Sequence, residues 1–95
     1  MKSELIYNIL LKCHVHCKTD ASLQLEELGI NSEENQYEWR VFYIDLESVT
    51  AIGEYEQENG NVCSAVYTIS GDCFVVESHP SELIPIWMEY KKQLQ

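Results

Sequence analysis

The stretch that decides the fold runs from Phe42 to Lys92: FYIDLESVTAIGEYEQENGNVCSAVYTISGDCFVVESHPSELIPIWMEYKK. It reads as a strand, a short turn, a second strand, a tight hairpin and a closing amphipathic helix. Its first strand begins upstream, in YEWRVFYIDL (Tyr37–Leu46), which is rich in aromatic and β-branched residues. Tyr37, Trp39, Val41 and Tyr43 alternate on one face and Phe42, Ile44 and Leu46 on the other. Apolar residues on both faces toward the end predict a central strand covered on both sides.

Asp45–Ser48 then reads as one tight turn and Val49–Glu56 as the next strand, with Gly53 marking a bulge or a close backbone approach. Asn59-Gly60, within Gln57–Asn61, is a hairpin signal. Val62–Ser70 pairs with Cys73–Ser78 across a two-residue turn, Ser70-Gly71 or Gly71-Asp72. That loop length collects Ala65, Tyr67, Ile69, Phe74 and Val76 on the expected core face. Leu83, Trp87, Tyr90 and Leu94 then follow a 3.6-residue repeat widened by Ile86, with Lys91 and Lys92 at the negative end of the helix dipole. Ser78 or Ser81 is the expected cap, and Pro85 predicts a loose start over Ser81–Pro85.

Upstream, every odd position from Leu5 to Cys17 is apolar, while Lys12, His14, His16 and Lys18 hold even positions. Such alternation predicts a strand with one buried face. It is firm from Ile9 onward, and a short initial helix capped by Ser3 competes before that. Thr19, Asp20 and Ser22 supply turn chemistry. SLQLEELGI (22–30) reads as a strand with a parity switch near Glu26 and Glu27, and NSEENQ (31–36) as an acidic loop.

The chain has 95 residues, one domain's worth, with 45% hydrophobic residues. A domain of this size buries only about 60–65% of its unfolded surface, so association is an accessible route to further stability. Sixteen Asp and Glu against six Lys and Arg give a formal charge of −10. That field repels nucleic acid and anionic lipid, so direct binding to either is not expected. Lys2 precedes an apolar run, but Glu4, Asn8 and Lys12 interrupt it and no cleavage site follows. A cytoplasmic protein with reduced cysteines is the expectation.

The runs FYIDLESVTAIGEY and VYTISGDCFVVES, with a helix ending MEYKK, resemble the small flagellar FlbD/SwrD family. Val49 and Ile52 fall on that family's strand positions, Ser70-Gly71 on its hairpin, and Val75-Val76-Glu77-Ser78 on its strand end. Ser-Gly replaces the family's Asn-Gly, and the two N-terminal strands are additional. The resemblance implies a small, non-enzymatic, self-associating module; it carries no site to transfer.

Cys13-His14-Val15-His16-Cys17, with Cys63, Cys73 and His79 elsewhere, has the residue types of a zinc site. On a strand the two thiols and the two imidazoles take opposite faces, so no metal and no cofactor is predicted. A three-residue turn would bring Cys63 and Cys73 to one face and strengthen the metal reading. The basic row Lys12, His14, His16 and Lys18 is the candidate ligand-binding feature, suited to an anionic small molecule or an acidic partner surface. The plainer reading, a solvated strand face, is preferred.

Glu54, Glu56 and Glu58 alternate along one strand face and, with Trp39, form the candidate partner-binding set. Here too a solubilising face is the plainer reading. No phosphate loop, nucleophile elbow or dinucleotide motif is present, so an enzyme is not expected. These observations predict an α+β domain: an antiparallel sheet of five or six strands with one C-terminal helix packed on it. The expected function is a non-enzymatic protein–protein binding or regulatory module that self-associates. The alternatives are an acidic phage anti-defence or immunity-type inhibitor blocking a basic effector or nuclease groove, including as a nucleic-acid mimic, and a binder of an anionic small molecule or nucleotide.

Overall fold

The computed structural model describes residues 2–19, 24, 27–29 and 37–94. Strands β1 (Glu4–Ile6), β2 (Leu10–Lys18), β3 (Tyr37–Asp45), β4 (Val49–Glu56), β5 (Val62–Thr68) and β6 (Cys73–Val76) form one antiparallel sheet, and helix α1 (Pro80–Gln93) closes the chain. The predicted α+β architecture is the one observed. β2 is the hub. One of its edges pairs with β3 along its whole length, Leu10 opposite Asp45 through Lys18 opposite Tyr37. The other edge is shared by β1 at Leu10–Lys12 and by β6 at Val15, opposite Val76. β5 and β4 extend the sheet beyond β6.

β3 and β4 therefore lie at opposite edges, yet only a 3-10 turn, Leu46–Ser48, joins them. The four steps from Asp45 to Val49 reach at most about 14 Å. Lateral spacing across a flat sheet of this order is already about 19 Å. The sheet must curl until its edges meet at this corner. Local chemistry makes the corner: Asp45 Oδ1 accepts from Glu47 N at 2.9 Å and Ser48 Oγ donates to Asp45 O at 2.7 Å. Leu46 N donates to Ile9 O and Ile69 N to Ser48 O, pinning the turn to both halves of the sheet.

Inside the curl lie Leu11, Cys13 and Val15 of β2, Ile44 of β3, Val66 of β5 and Val76 of β6, with Leu46 and Val49 from the corner. Leu83 and Tyr90 of α1 join them, and Ile86 and Trp87 pack at the margin. Ser64 is fully buried and donates to Ser78 O at 2.6 Å, while Ser78 Oγ shares a 2.6 Å hydrogen bond with Ser3 Oγ. Those two bonds fasten the chain start to the strand–helix junction.

Several expectations are corrected. β3 is an edge strand, with Tyr37, Val41 and Tyr43 49%, 47% and 58% exposed. Its odd face turns to solvent, although farther along the sheet Cys63 and Ala65 on the same face are buried. The β5–β6 loop is Ile69-Ser70-Gly71, closed by Thr68 N to Asp72 O, with Gly71 at φ +89°. The extra residue reverses the register, so Ser64 faces Val76 and Val66 faces Phe74. Val66 and Thr68 accordingly join Phe74 and Val76 inside, whereas Tyr67 and Ile69 are exposed.

The bulge in β4 falls between Val49 and Ala51, not at Gly53. Tyr7 and Asn8, both at positive φ, bend the chain between β1 and β2, and the initial helix gives way to β1. Helix α1 starts at Pro80, capped by His79 Nδ1 accepting from Ser81 N, because Ser78 is committed to the buried bonds. Pro85 sits within the helix, and Leu94 is exposed. Gln24 and Glu27 are helical and Leu28 N bonds Gln24 O, where a strand was expected. The parity switch at Glu26 and the acidic loop 31–36 lie outside the described residues.

Candidate interaction surface

The register sets the outer face of the sheet in rows. Lys12 stands opposite Tyr43, His14 opposite Val41, His16 opposite Trp39 and Lys18 opposite Tyr37. The basic row is thus kept together on β2, each member beside an aromatic or apolar residue of β3. His16 lies against two aromatic rings: its ring stacks on Tyr37 at 4.7 Å and lies 4.9 Å from the Trp39 ring.

The curl also swings the β4–β5 hairpin tip toward this cluster. Its loop, Glu58-Asn59-Gly60, is closed by Gln57 N to Asn61 O, with Gly60 at φ +86°. An open groove of about 890 Å³ results, walled by His16 and Tyr37 on one side and by Tyr55, Gln57, Glu58 and Asn59 on the other, over Val75. Of the predicted residues, His16 and Glu58 meet here, and Trp39 joins them through its contact with His16. Glu54 and Glu56 do not: they follow Ile52 onto the opposite side of β4, exposed to solvent, while Glu58 lies beyond the strand end. Tyr55 and Val75 were missed, because only the curl brings them to the aromatic end of β3.

One row further, the register sets Val41, His14, Glu77, Cys63 and Tyr55 side by side across the sheet. Burial pushes the Cys63 thiol above its ordinary pKa, and the nearby Glu77 carboxylate pushes it the same way. Both effects disfavour the thiolate, the form a nucleophile or metal ligand needs. Burial alone takes Cys13 up to about 12. His14 Nδ1 is buried without a hydrogen-bond partner.

The longer loop does bring Cys63 and Cys73 to one face. Yet Cys73 faces Tyr67, four residues along from Cys63, about 13 Å away. Among the described residues no group of three or more His, Cys, Asp or Glu side chains is placed to hold a metal. No helix among them is long and apolar enough to cross a membrane. No protein-family model, curated protein or solved structure matches the chain.

Proposed function

We propose that this protein is a non-enzymatic regulatory module that works by protein–protein contact through the outer face of its sheet, and that it self-associates. The observation that carries this reading is the exposed β3 row of Tyr37, Val41 and Tyr43 around the half-buried Trp39, continuous with the groove at Tyr55. Tyr and Trp are the residues most enriched where protein contacts gain their energy. The formal charge of −10 favours a partner with a basic surface, which keeps an inhibitor of a basic effector within this reading. All four cysteines are free thiols, as suits the reducing cytoplasm.

A photo-crosslinking residue placed at Tyr43 or Tyr37 should give discrete protein adducts in cells, and one at the equally exposed Met88 on α1 should not. Equal yields from both faces would refute the assignment. A second reading, capture of an anionic small molecule, is favoured by the Lys12–Lys18 row beside the groove. A thermal-shift screen with nucleotides separates the two, since a bound ligand raises the apparent melting temperature.

A further inference from the structure

We infer that a second copy of this chain pairs antiparallel with the free edge of β3, with Trp39 on the two-fold axis. This rests on the self-association reading and gives it a surface and a register. β3 pairs with β2 through nine uninterrupted positions, and among the described residues no strand covers its other edge. It has no Pro, Gly, Lys or bulge, and its only charges over the open part are Glu38 and Arg40, which are of opposite sign.

The direction of its backbone groups follows from two bonds. His14 O accepts from Glu77 N on the β6 side of β2, and Leu46 N donates to Ile9 O. Even residues of β2 therefore point their peptide groups at β6 and odd ones at β3. The even residues of β3 answer them, which leaves the N–H and C=O groups of Tyr37, Trp39 and Val41 directed outward. Farther along, the seam cavity of about 220 Å³ sets Ser70 and Asp72 across from Phe42–Asp45, whereas Tyr37 and Trp39 face Gln57 and Asn59 across wider grooves of about 890 and 410 Å³, so the more accessible part of the edge is Tyr37–Val41.

Charge chooses the register. Within one chain Arg40 contacts Glu38. Pairing about Trp39 sets Glu38 of each copy opposite Arg40 of the other, Tyr37 opposite Val41, and the two Trp39 side by side. Pairing about Glu38 or about Arg40 opposes like charges, and pairing about Val41 opposes each charge with an apolar residue. Of these four, only the Trp39-centred arrangement pairs opposite charges across the two-fold axis.

The test is light scattering on size-exclusion peaks across the micromolar range, near physiological salt, with folding of each variant checked by circular dichroism. Wild type and the double exchange Glu38→Arg/Arg40→Glu should dimerise alike. Glu38→Arg alone and Arg40→Glu alone should each weaken the dimer about tenfold or more. An equimolar mixture of the two single variants should restore it, because each then opposes the other's charges. A monomeric wild type would sink self-association altogether. A dimer indifferent to the single variants, or a mixture that stays monomeric, would overturn this surface and register while leaving self-association standing.

Discussion

Val66 and Tyr67 are neighbours on β5, and their substitution by alanine should have very different consequences. Val66 is 0% exposed and sits between Ile52 and Phe74 in register; Tyr67 is 45% exposed on the outer face. Val66→Ala deletes two buried methyl groups, about 1.6 kcal/mol of transfer free energy. The space left between the helix and the sheet adds about 1 kcal/mol more, for a loss of about 2–3 kcal/mol. For a domain of this size the melting temperature should fall by about 10–20 °C. Tyr67→Ala should cost no more than about 1 kcal/mol, since much of the ring is already in water. Urea titration with an unchanged m-value is the assay. If Tyr67→Ala proved the more damaging, the two-residue turn and its opposite core face would be right, and the three-residue loop described above wrong.

Other substitutions probe separate parts of the argument. Gly71→Ala places a Cβ at φ +89° and should destabilise by about 1 kcal/mol, whereas Gly53→Ala, in extended backbone with the Tyr67 ring 4.0 Å from the new Cβ, should be neutral or stabilising by a few tenths to about 1 kcal/mol; chemical denaturation of both reads the contrast. Ser64→Ala leaves the buried Ser78 carbonyl without its donor and should cost about 1–3 kcal/mol, measured the same way. The alkaline limb of stability follows from Cys13. Below pH 9.0 its thiol is neutral in both states and gives no slope; between 9.0 and about 12 the unfolded chain loses a proton that the fold retains, so stability falls as pH rises. Cys63, also raised, acts with the same sign, and Cys13→Ala should flatten the limb in unfolding curves taken across that range.

Period-two alternation in Leu11–Cys17 and the 3.6-residue stripe of Leu83, Trp87 and Tyr90 were legible because each reports one buried face. The turn at Asp45–Ser48 was legible from its short polar side chains. What failed depended on a single residue of loop length. Ser-Gly-Asp supports a two-residue or a three-residue connection equally, and the choice inverts every side chain of the hairpin. β3 was misplaced for a related reason: aromatic residues on both faces look the same whether a partner layer or solvent covers the second. As for the candidate surface, the basic row of β2 and Trp39 were readable from parity. The groove was not, because the closure that brings Tyr55 and Glu58 toward His16 and Tyr37 is a property of the corner between β3 and β4 and not of any one strand.

The most direct measurement of the central claim is amide hydrogen exchange by NMR along β3 as protein concentration is raised. The amides of Arg40 and Phe42, which answer β2, should be protected at every concentration. Those of Tyr37, Trp39 and Val41 should exchange fast in dilute solution and slow together as the dimer forms. If these three exchange at the same rate across the whole range, the β3 edge is not where this protein makes its contacts.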